Sequence, residues 1–174
     1  MADWVLAIER AYVAAATGSV ASAGQPALAH ARAAVGAIAS HYLAVGTPRS
    51  FGLVADAATA ADAALSLEAH RTWFAPRDVR STIAGPGRLV ELAEALACDI
   101  VCIHLPLALA ARQLRRGTHV NVLAEVVLDA DLAQLATVVH EEPGLGALAA
   151  GLVDGRQLDE LTVFVVGSLA TARS

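Results

Sequence analysis

The chain has 174 residues, enough for one domain with a substantial buried core. Its formal charge of −5, with no basic run, argues against nucleic acid and anionic membrane surfaces as partners. Hydrophobic residues make up 56%, yet much of this is alanine, and no apolar stretch approaches the roughly 20 residues a membrane span requires.

The first periodic segment, Asp3 to Gly18, places Trp4, Ile8, Ala11, Tyr12 and Ala15 on one helical face, with Asp3 as N-cap and Gly18 as stop. Small residues link it to a second helix expected from about Pro26 to Leu43. "VGTPRS" then turns into a strand ending near Ala55, and a helix follows from about Ala57 to His70. "RTWFAPRDVRSTI" is broken by Pro76 and offers one short strand near Val79 to Ile83. "GPGRLVELAEAL" opens with turn residues and continues as a helix, with Leu89, Leu92, Ala93 and Leu96 expected inward. "CDIVCIHLP" has the pattern of a parallel strand buried on both faces. A short helix, a turn at Gly117 and a strand over "HVNVLAEVV" come next, and "ATVVHEE" and "LTVFVVG" supply two more strands.

Strands alternating with helices define an α/β fold, Rossmann-like, with a mainly parallel sheet flanked by helices. Residues 1–48 read as a helical N-terminal region. Residues 49–174 read as the Rossmann-like domain, whose C-terminal segment packs back on the N-terminal region. Cys98 and Cys102 lie four apart in an apolar segment and read as buried thiols, which fits a reducing cytoplasm. No basic region followed by an apolar one opens the chain, so no export signal is expected.

Several segments, taken in order, resemble the ornithine cyclodeaminase and mu-crystallin family. "GTHVNVLA" (Gly117 to Ala124), "TVVHEE" (Thr137 to Glu142) and "GRQLDELTVF" (Gly155 to Phe164) stand where that family has "GAHVNAVG", "VVVDD" and "GR-DEITVF". Upstream, "ARAAVGAIASHYLAVGTPRSFGLVADA" is similar to the family's helix "RTAAASALAARYLA" and the strand after it. The resemblance implies a dinucleotide-binding fold beside a dimerising substrate region, and NAD-dependent chemistry on amino acids or cyclic imines.

Compared residue by residue, the functional positions depart from the family. Its GxGxxA loop aligns with Ala55, Ala57 and Ala60, so a methyl group stands at both glycine positions. Asp56 places negative charge where phosphate would meet a helix N-terminus. The family's "TAT" segment is replaced by Ile103, His104 and Leu105, its catalytic aspartate loop is missing after "HVNVLA", and the chain contains no lysine to serve as the catalytic one. Arg32 matches the arginine that holds the substrate carboxylate in the family, although Ala33 replaces the threonine beside it.

The expectation is therefore a degenerate member of this type that binds no cofactor and no metal and works as an accessory or interaction protein. Its partners would be a second copy or a related full-length protein, met through Trp4, Tyr12, Phe164 and Leu169. The alternative is a cofactor-independent cyclase or isomerase that uses the vacated crevice for a small molecule, with Arg32, His104 and His119 as candidate catalytic residues. Each of these three also has a plain structural reading, as a helix-surface arginine and as core histidines. His119 and His140 show no metal-ligand spacing, and "GPGRL" is read as a turn before a helix rather than a phosphate loop.

Overall fold

The structure is a computed structural model that describes residues 25–44, 46–140, 160–166 and 168–171. The expected first helix, with Trp4 and Tyr12, and the segment from Glu141 to Asp159 lie outside the described residues.

In chain order, helix α1 (Gln25–Leu43) leads into strand β1 (Ser50–Val54), then α2 (Ala60–Arg71), β2 (Asp78–Ser81), β3 (Arg88–Leu89) and α3 (Leu92–Leu96). The chain continues through β4 (Ile100–Ile103), β5 (Leu107–Leu109), β6 (His119–Val122), β7 (Glu125–Leu128), α4 (Ala130–Leu135) and β8 (Ala136–His140). Strands β9 (Leu161–Val165) and β10 (Ser168–Thr171) close it. A seven-stranded sheet has the order β3-β2-β1-β4-β6-β9-β8, and a smaller one the order β10-β7-β5. All the strand pairs described are parallel. This is the Rossmann-like arrangement expected from the sequence.

The period-2 alternation of the strands sorts the core into two faces. Phe51, Leu53, Ile100 and Cys102 turn toward α2, where they pack with Ala63 and Leu67. Phe164 and Val139 turn toward Val35, Ile38 and Leu43 of α1. On the opposite face Val54, Val101, Ile103, Val120, Val122 and Val163 pack against Ala95 and Leu96 of α3, Leu132 of α4, and Leu109, Val126 and Leu128 of the small sheet. The small sheet and α3 thus cover one face and the α1–α2 pair the other. Gly52 permits this closeness on β1, because a Cβ there would run into the backbone carbonyl of Ala95.

Asp99 ties the starts of two central strands together. Its Oδ2 accepts the N–H groups of Arg49 (2.8 Å) and Ser50 (2.9 Å), while its own N–H donates to Ser50 Oγ (2.9 Å). Partial burial pulls its pKa upward, but these hydrogen bonds and the nearby Arg115 outweigh that and leave it lowered.

Four local expectations require correction. "RLVELAEAL" is not one helix: Arg88 and Leu89 pair with β2 as an edge strand, and the helix starts only at Leu92. Leu89 is consequently 61% exposed and Leu92 38%, Ala93 is also exposed, and only Leu96 of the expected inward set is buried. "HVNVLAEVV" breaks after Val122 into β6 and β7, which join different sheets. The helix expected after Pro106 is an extended strand followed by a single 3-10 turn, Ala111–Gln113. Phe164, expected at an interface, is wholly buried beneath α1, because its position on β9 faces the sheet's helical side. Leu169 lies on β10, opposite Val126 of β7.

Candidate functional site

In an open parallel sheet, ligands meet the carboxyl ends of the strands where the strand order reverses. Here that point lies between β1 and β4, at the turn after Val54 and at His104. The turn after β1 is closed by its own side chains. Asp56 Oδ1 accepts from the Thr59 N–H (3.0 Å) and hydroxyl (3.0 Å), and Thr59 Oγ1 accepts the Asp56 N–H (3.0 Å). The Ala55 N–H donates to Thr82 Oγ1 (2.9 Å), whose hydroxyl donates back to the Ala55 carbonyl (2.7 Å). Hydrogen bonds from Thr59, chiefly its backbone N–H, hold the Asp56 carboxyl below its ordinary range, so it is an anion.

A pyrophosphate needs free N–H groups and a close approach at this turn. Ala55 is buried at the first glycine position, Ala57 is exposed in the turn, and Ala60 opens α2. The N–H groups of Ala55, Asp56 and Thr59 are already paired, and a carboxylate stands at the helix terminus. These residues do not fit a dinucleotide.

Next to this turn, α1 and α2 meet the ends of β4 and β6 around a cavity of about 30 Å³ lined by Ala29, Arg32, Asp62, Ser66, His104 and Leu123. Three polar atoms of its lining residues are buried without a hydrogen-bond partner among the described residues: Arg32 Nε, Ser66 Oγ and His104 Nε2. His104 is only 7% exposed, and burial lowers its pKa to about 4, so the ring is neutral near pH 7. The fold therefore brings Arg32 and His104 to one cavity.

His119 goes elsewhere. It belongs to a buried polar network between the sheet and the α1–α2 pair, and the partners assign the proton positions. His70 Nδ1 donates to the Ser66 carbonyl (2.7 Å), which leaves Nε2 as an acceptor, 2.9 Å from Ser40 Oγ. Asn121 Nδ2 donates to Ser40 Oγ (2.8 Å), and Asn121 Oδ1 lies 3.2 Å from His119 Nε2, which is thereby the protonated nitrogen. His119 Nδ1 then accepts from the Thr162 hydroxyl (2.7 Å). Ser40, His70 and Asn121 were not singled out by sequence reasoning. A signal was present for Asn121 and Thr162, which interrupt apolar strands at positions that face the helices.

Burial lowers the His70 pKa to about 4, with the Ser66 carbonyl opposing and His104 reinforcing the shift. Burial likewise raises the Cys98 thiol to about 11 and the Cys102 thiol to about 12, which removes both as nucleophiles near neutral pH. Among the described residues no group of three or more His, Cys, Asp or Glu side chains is placed to hold a metal ion, and no helix is long and apolar enough to cross a membrane.

No protein-family model matches the sequence, and no curated protein matches it. Solved structures do match in fold, and they define the class as a Rossmann-like, mainly parallel α/β fold. An archaeal alanine dehydrogenase dimer with bound NAD superposes with a TM-score of 0.65 at 21% identity, over 80% of this chain and 58% of that one. The iminosuccinate reductase of Paracoccus denitrificans in complex with NAD+ gives 0.65 at 20% identity, over 78% and 56%. The Thermococcus litoralis Δ1-pyrroline-2-carboxylate reductase, in complex with NADH and L-proline, gives 0.59 at 16%, over 78% and 58%. At these identities the likeness is one of fold, and it agrees at that level with the resemblance read from the sequence. The chain spans less than two thirds of the length of these three chains.

Proposed function

We propose that this protein is a degenerate ornithine cyclodeaminase-like accessory or interaction protein that neither binds NAD nor carries out cyclodeaminase chemistry. The observation that carries this reading is the Asp56–Thr59 pair, which puts the chain's own carboxylate on the N–H group at the start of α2 that a phosphate would take. The fold is retained around a turn that has lost its glycines. Such a chain contributes shape, and its partner in this reading is a second copy or a full-length relative; Trp4, Tyr12 and Leu169 remain the candidate contact residues.

Calorimetric titration with NAD and NADP tests the reading. The expected outcome is no saturable heat, and clear binding of either nucleotide sinks it.

A second reading, a small molecule held in the crevice by a repurposed cofactor-independent enzyme, draws on the meeting of Arg32 and His104 at one cavity. Loss of a small-molecule turnover on replacing His104, with the fold intact, is the result it requires.

A further inference from the structure

We propose that the cavity between α1, α2 and the end of β4 is a binding site for a small monovalent anion, of halide or one-carbon carboxylate size, held by Arg32, Ser66 and His104. The inference rests on the second reading's assignment of this cavity as a ligand site, and on none of the chemistry that reading adds.

The three lining residues each carry a buried polar atom with no partner among the described residues, a costly arrangement unless something fills their hydrogen-bonding capacity. Ser66 is 1% exposed and His104 7%, so solvent outside the cavity does not supply the partners. The chemistry of the set is biased toward an acceptor ligand. The Arg32 Nε–H can only donate, the Ser66 hydroxyl donates freely, and a neutral His104 ring presents an N–H at Nε2 in one of its tautomers. An anion accepts from all three together, whereas the two waters the volume admits would have to divide the three groups between them; dependence on the identity of the salt separates these occupants.

Size and charge narrow the class. A volume of about 30 Å³ has room for roughly two waters, and hence for an ion of about one to three heavy atoms. Arg32 brings one positive charge, and Asp62, an exposed acidic residue, stands among the lining residues. A site with a single cation and a neighbouring carboxylate favours one negative charge over two, which disfavours sulfate and phosphate. Leu123 and Ala29 complete the wall with apolar surface, which suits a weakly hydrated ion better than a strongly hydrated one.

Thermal unfolding of the purified chain, with no nucleotide present, in sodium chloride, bromide, formate, gluconate and sulfate at matched ionic strength, provides the test. Chloride, bromide or formate should raise Tm saturably, by roughly 5–10 °C at a hundredfold excess over Kd, and gluconate and sulfate should not. A larger shift with formate identifies a carboxylate as the occupant, and a larger shift with bromide identifies a halide; either supports the site. Chloride-35 NMR line broadening gives a second readout that does not depend on stability. Arg32→Gln should abolish it and Ser66→Ala weaken it severalfold, and the serine variant carries the test if the arginine variant does not fold. Equal Tm in all five salts, or line broadening unchanged in both variants, overturns the proposal. Small-molecule turnover that survives replacement of His104 would sink the second reading's chemistry and leave an anion-dependent Tm standing, so the two failures are distinguishable.

Discussion

Asp56 and Thr59 satisfy each other at the point where the first strand of the sheet hands over to its helix: the carboxylate takes the threonine N–H and hydroxyl, and the threonine oxygen takes the aspartate N–H. This is a reciprocal closure of the turn that leads into α2, with Thr59 as the N-cap residue of that helix. It explains how a turn without glycines remains well formed, since the Asp56 and Thr59 N–H groups are satisfied within four residues of chain.

Replacing Asp56 separates the two roles of its carboxylate. Asp56→Ala should fray the first turn of α2, seen as faster amide exchange from Thr59 to Ala63, while Asp56→Asn, which keeps an acceptor oxygen, should fray it less. Neither should create NAD binding, because the Ala55 N–H remains engaged by Thr82. Unchanged exchange in Asp56→Ala would show that the pair does not hold the helix start.

The central network predicts a large effect from a neutral substitution. Asn121 bridges Ser40 and His119 with its two amide atoms, so Asn121→Ala leaves buried partners unsatisfied and opens space beneath α1. A loss of about 2–4 kcal/mol is expected in denaturant unfolding. Asn121→Asp should cost at least as much near neutral pH, because the donor to Ser40 is replaced by a buried charge. A change below the error of the measurement in both variants would remove the network as a determinant of stability.

Acid lability follows from the buried imidazoles. Burial lowers the pKa of His70 and of His104 from the ordinary 6.5 to about 4, so the unfolded chain binds protons that the native chain refuses between those values. Stability from this source is complete above about pH 6.5 and is lost as pH falls toward 4, by on the order of 3 kcal/mol for each ring. His104→Gln should flatten the fall of Tm over this range relative to the parent. An equally steep fall in that variant would assign the acid sensitivity elsewhere.

Much of this protein is determined locally, and that part was legible in its sequence. The alternation of Phe51, Leu53 and Ala55 with Gly52 and Val54 follows from the pleat of a single strand, and the absence of glycine at Ala55 and Ala57 needs no partner to be read. A buried run such as "IVCI" identifies a central parallel strand because both of its faces must be covered.

Other features depended on the order of strands across the sheet, which no local pattern encodes. Only that order sets β6 between β4 and β9, and so joins Asn121 to Ser40 and His119 to Thr162 across 81 and 43 residues of chain. Phe164 reads as an interface anchor in isolation and is a core residue because α1 lies over its face of β9. Leu89 reads as a core helix position and is exposed because it belongs to a two-residue strand at the sheet edge, with no strand outside it among the described residues. Arg32 and His104, far apart in sequence and each with a plain structural reading of its own, become one cavity only where α1 crosses the carboxyl end of β4. Local chemistry set the central strands and the absence of glycine at Ala55 and Ala57. Tertiary packing alone decided which polar groups meet, because burial leaves each of them dependent on partners that chain neighbours do not supply.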